Sequence, residues 1–162
     1  MTILESKSVS KVTGQNWVKW LIVTLGLAVI AFLASPNGPL GGFWRPATVM
    51  PPPTGGQLPL LILLNIAEVL TFGSGISFLI FGYPMIKAIA PASKGLTLAA
   101  YLSIAWLLVS WWPHDSLHIA AGVNINALIA IEYGFHITLM VAGVILGYFF
   151  LTLLKQRTIS SQ

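Results

Sequence analysis

The sequence predicts an all-α integral membrane protein: a four-helix bundle with both termini on the cytoplasmic side. Three observations carry that prediction. Charged residues make up 7% of the 162-residue chain and mean hydropathy is +0.86, whereas a soluble domain carries roughly 25% charge. Four apolar stretches are each long enough to cross a hydrocarbon layer of about 30 Å, which takes about 20 helical residues. Seven of the eight basic residues fall in segments that this threading places on one side. Twelve Lys, Arg, Asp and Glu residues cannot clothe a soluble core. High hydrophobicity excludes a disordered chain, and the absence of Cys excludes a disulfide scaffold or a thiolate metal centre.

Residues 1–162 read as a single transmembrane domain. The first span covers about 17–34 and the second 58–83. The third covers 96–112 and the fourth 126–153. None alternates with the period of a strand, and all exceed strand length. The first is not a signal peptide by pattern, because its lead is long and no A-x-A site precedes Pro36. The loop 35–57 holds Pro36, Pro39, Pro46, Pro51, Pro52 and Pro53 with five glycines, a composition of turns and polyproline II rather than helix. Pro84 and Pro91 bound the second loop. Pro113 opens a short outer turn over 113–122.

Lys7, Lys11, Lys19, Lys87, Lys94, Lys155 and Arg157 lie at the termini and the second loop, and Arg45 alone lies in the other loops. The positive-inside rule therefore places both ends in the cytoplasm, as in a bacterial inner or plasma membrane. Trp17 and Trp20 would anchor at the inner interface, and Trp111 and Trp112 at the outer one. The basic residues are scattered singly, so the clustered footprint of a nucleic-acid binder is missing.

The few remaining ionisable groups are concentrated. Glu68 lies in the second span and Glu132 in the fourth, each roughly 14 Å along its helix from the outer end. A carboxylate inside a membrane costs a few kcal/mol on insertion scales and marks a site or a partner. Asn65 precedes Glu68 by one turn, and His136 follows Glu132 by four residues on one face. In the outer turn His114 and His118 are also spaced i, i+4, the spacing of paired imidazole ligands on a helix. Asp115 suits either a third ligand or an acceptor behind one of them. Asn126 lies between that turn and Glu132. Gly143 and Gly147 continue the His136 face as a small-xxx-small pair that would pack against a neighbouring helix, with Gly73 and Ser77 in a similar part.

The leading expectation is an outward-facing His/carboxylate cation site between the second and fourth spans. It would bind a transition metal (Zn, Cu or Fe) in preference to a proton. His114, Asp115 and His118 would be its outer ligands, Glu132, His136 and Glu68 its deeper ones, with Asn65 and Asn126 orienting them. Imidazole and carboxylate suit these metals, and the lack of thiolate disfavours Cu(I). A second expectation is a non-catalytic subunit or assembly factor, with partner membrane subunits or a homo-oligomer beside the lipid bilayer. A third is an intramembrane enzyme for a lipid or quinone with Glu132 and His136 as acid and base. A haem held by His118 and His136 is discounted, because eighteen residues of continuous helix would separate them by about 27 Å.

Overall fold

Helix accounts for most of the described residues, and its long apolar runs satisfy their own backbone hydrogen bonds, as any membrane-crossing segment would have to. The computed structural model describes residues 3–36, 38–45, 54–89 and 93–160, with the side chains of 3–16, 157, 159 and 160 outside the description. The prolines of 46–53 and the side chains of Lys7, Lys11 and Arg157 thus lie outside the described residues. Among the described residues six α-helices follow in order: α1 Ile3–Ala34, α2 Leu58–Phe81, α3 Tyr83–Ile89, α4 Lys94–Val109, α5 Trp111–Ala121 and α6 Ile125–Ser160. A 3-10 turn, Gly41–Trp44, lies between α1 and α2. No strand occurs among the described residues.

Among the described residues three helical stretches are long and apolar enough to cross a membrane: Trp17–Ala34, Leu58–Phe81 and Ile125–Gln156. The pair α4 and α5 qualifies together, as a span bent by 46°. The bend has a local cause. Ser110 N–H donates to the Trp106 carbonyl and the Ser110 carbonyl accepts from His114 N–H, both at 3.0 Å. Pro113 has no N–H to give the Val109 carbonyl, so the ladder opens there. The expected short outer turn over 113–122 is accordingly part of an 11-residue helix that begins at Trp111, and the third span's expected end at 112 moves back to Val109.

The helices pack in a row, α1 on α2, α2 on α4 and α4 on α6, with α5 set against both α2 and α6. Two apolar clusters result. Ala28, Ala31 and Val69 pack with Phe72 and Trp112 at the α5 end. Ile86, Ala100, Tyr101 and Phe149 pack near the other end. Glycine decides the closest approaches on α2. A Cβ at Gly73 would sit 2.3 Å from the Thr24 carbonyl oxygen of α1, and one at Gly75 would sit 2.5 Å from the Val109 side chain of α4. Beside Gly73, Thr24 Oγ1 donates to Ser77 Oγ at 2.9 Å, and Ser77 is fully buried.

Two expectations are corrected here. Gly143 and Gly147 meet nothing within 4 Å, because α6 turns Ala142 and Phe149 inward and leaves the glycine stripe outside. Trp112 is not solely an interface anchor. Its Nε1–H donates to Ser35 Oγ at 2.9 Å and its ring lies 4.9 Å from that of Phe72. Trp111 is about half exposed.

Candidate metal centre

The site is built by a chain reversal. Gly122 sits at φ 55°, ψ −117°, a conformation that side chains with a Cβ rarely adopt. Asn124 Oδ1 then accepts from Ala127 N–H at 3.2 Å and caps the first turn of α6. α6 thereby returns along α5, and the i, i+4 pair on each helix faces the other.

Four side chains converge across this reversal. His114 Nε2 and His118 Nε2 lie 3.2 Å apart, and His118 Nε2 lies 3.1 Å from Glu132 Oε1. His136 Nδ1 lies 2.6 Å from Glu132 Oε2. One ligand atom each from His114, Glu132 and His136 fall within 4.8 Å of one another. Ligand atoms around a tetrahedral ion with bonds of about 2.1 Å are about 3.4 Å apart. The three could hold one ion, and His118 adjoins two of them, His114 and Glu132.

The same reversal overturns the expected separation of His118 and His136. That separation assumed continuous helix; both residues instead contact Glu132.

The cluster is graded from covered to open. The side chain of His114 is 13% exposed, that of Glu132 44% and that of His136 54%. Phe135 closes the lower side, with its ring 5.1 Å from His114 and stacked on Trp106 at 5.7 Å. Trp106 Nε1–H donates to Thr138 Oγ1 at 3.0 Å, which ties α4 to α6 directly beneath the site. Further along the α4–α6 seam the side chains are Ile104, Leu146, Tyr101 and Phe149, and Tyr101 OH donates to the Leu79 carbonyl.

The other predicted site residues lie off the cluster. Asp115 Oδ1 is 2.9 Å from His114 Nδ1, behind the imidazole rather than beside its cluster-facing nitrogen. Glu68, buried on α2, meets the Asp115 carboxyl within hydrogen-bonding reach. Asn65 Nδ2 donates to Ser35 Oγ at 3.1 Å and so ties α2 to the end of α1. Asn126 is exposed. The convergence thus lies between α5 and α6, the inserted α5 separating α2 from it. Phe135 and Trp106 were not singled out from sequence, although the i+3 spacing of Phe135 from Glu132 places it on the same side of the helix.

No protein-family model matches the chain, and no curated protein or solved structure matches it at a significant level.

Proposed function

We propose that this protein is a four-span membrane protein, with both termini cytoplasmic, that binds a transition-metal ion at its outer face through His114, Glu132 and His136, with His118 as the fourth ligand. The observation that carries this reading is the approach of ligand atoms from two helices to within 4.8 Å. Orientation follows from the basic residues, since Lys87, Lys94 and Lys155 belong to the end opposite α5. Imidazoles with one carboxylate and no thiolate suit Zn, Fe(II) or Cu(II). Below the site, the Phe135–Trp106 stack and the apolar seam favour a centre reached from one face over a conduit through the membrane.

Metal analysis of the purified protein tests this. One equivalent per chain, lost in both His114→Ala and His136→Ala, is the expected result. No stoichiometric metal, or equal metal in the variants, would sink it.

A second reading has its own support. The Gly143–Gly147 stripe is open, and Met140, Val144, Tyr148 and Leu151 around it are more than half exposed. Lipid covers such a face in a lone chain; a partner membrane subunit or a second copy covers it in a complex. Extraction in mild detergent followed by mass spectrometry distinguishes the two, and a monodisperse single chain would count against the complex.

A further inference from the structure

His114 faces two ways, and its second face is not used by the cluster. Nε2 points to His118 at 3.2 Å. Nδ1 points to Asp115 Oδ1 at 2.9 Å. A neutral imidazole that gives Nε2 to a cation carries its proton on Nδ1, and that proton needs an acceptor where water is scarce. Asp115 supplies it. The two ring nitrogens diverge, so a carboxylate held at Nδ1 cannot also bind the ion held at Nε2. Asp115 in this geometry orients a ligand instead of being one.

Asp115 is itself held. Its carboxyl meets that of Glu68, which projects from α2 and is buried at 8% exposure. Glu68 is one turn before Thr71 and Phe72, on the stretch of α2 where Val69 and Phe72 join the cluster containing Trp112 of α5. The contact therefore lies on the α2–α5 side of His114, away from Glu132 and His136, with Glu68 buried and the Asp115 side chain 39% exposed. Three groups on two helices form an arm from that packing to the back of the best-covered ligand.

We propose that Asp115 and Glu68 are the positioning residues of this centre. Asp115 fixes His114 with Nε2 toward the ion, and Glu68 fixes Asp115 from α2. The proposal rests on the metal reading above and decides between the two roles the sequence left open for Asp115, while moving Glu68, expected from sequence as a ligand, to a role behind the ligands. Outer partners of this kind are worth 10- to 100-fold in metal affinity, roughly, because an unsupported imidazole samples the wrong tautomer and rotamer. It also explains why the arm is acidic: a carboxylate behind the ring raises the basicity of the coordinating nitrogen.

The test uses the full chain in detergent with Co(II) as the probe, since its visible ligand-field spectrum reports ligand identity and geometry. Affinity and spectrum are compared for the wild type, Asp115→Ala, Asp115→Asn, Glu68→Gln and Glu68→Leu. Asp115→Ala should bind roughly 10- to 100-fold more weakly with an altered spectrum. Asp115→Asn, which keeps an oxygen acceptor but loses the charge, should lose less. Glu68→Gln keeps a hydrogen-bonding group of the same length and should stay near the wild type, while Glu68→Leu should move toward Asp115→Ala. Should Asp115→Ala not fold, Asp115→Asn and the Glu68 pair decide alone. Wild-type affinity and spectrum in Asp115→Ala, or in both Asp115→Asn and Glu68→Leu, would overturn the positioning role and leave the metal centre standing. A complete loss of Co(II) at the level of His114→Ala would also overturn it, by making Asp115 a ligand. A wild type that takes up no Co(II) removes the metal reading and this inference with it.

Discussion

His118 of α5 and Glu132 of α6 meet at 3.1 Å across the reversal at Gly122. That contact joins two segments which, read along the chain, belong to different structural units. Its existence depends on Gly122 with its positive φ, and so does the approach of His114 to Glu132 and His136 that carries the metal proposal.

Gly122 is therefore the first position to test. A Cβ at φ 55°, ψ −117° is strained by roughly 1–3 kcal/mol. Gly122→Ala should lower the melting temperature in detergent and weaken metal binding together. Unchanged metal binding would show that the α5–α6 reversal does not set the cluster.

Ser35 ties three helices at the same end. Its hydroxyl donates to the Ala31 carbonyl at 2.9 Å and accepts from Asn65 Nδ2 and Trp112 Nε1. Ser35→Ala leaves both donors without that acceptor, at about 1–3 kcal/mol for each buried group that stays unpaired. Thermal unfolding in detergent should show the loss, and Trp112→Phe should show a smaller one because it removes a donor along with its need. Equal stability of Ser35→Ala and wild type would refute the tie.

The glycines divide into two kinds, and one substitution separates them. Gly73→Val forces α1 from α2, because the Thr24 carbonyl oxygen lies 2.3 Å from the new Cβ. Overpacking of this sort costs about 1–3 kcal/mol. Gly143→Ala adds a methyl to open space and should leave the isolated chain at least as stable, since Ala favours helix over Gly by about 1 kcal/mol. A Gly143→Ala change that alters the size of the detergent-extracted particle would identify a partner on that stripe.

Orientation can be read without background because the chain has no Cys. A single Cys at Val123 should react with a membrane-impermeant thiol reagent added outside intact cells. One at Lys155 should react only after permeabilisation. The reverse pattern would contradict the assigned topology.

Much of the helix layout was legible because long apolar runs write it in composition. Runs of apolar residues fix helical spans, and the three unbroken ones are found within a few residues of the expected limits. The third span was less legible. Residues 96–112 read as the third span and 113–122 as an outer turn, yet Pro113 permits helix while opening the ladder behind it, so the break falls at Ser110. The site was legible as a set and not as an arrangement. The i, i+4 pairs His114/His118 and Glu132/His136 were visible, since spacing within a helix is fixed. Their meeting needed a reversal that Gly122 allows but a single glycine does not announce. Glu68 and Asn65 show the same limit, because a polar residue in a span reveals its need for a partner and not which partner it takes. Glu68 meets Asp115 and Asn65 meets Ser35.

X-ray absorption at the metal edge of the zinc-loaded protein tests the central claim most directly, because it counts imidazoles around the ion. The proposed centre predicts one Zn per chain, a nitrogen/oxygen shell at about 2.0–2.1 Å, outer-shell scattering from two to three imidazole rings, on the order of the ligand set named, and loss of that scattering in His136→Ala. A Zn ion with no imidazole scattering, or no stoichiometric uptake, would contradict it.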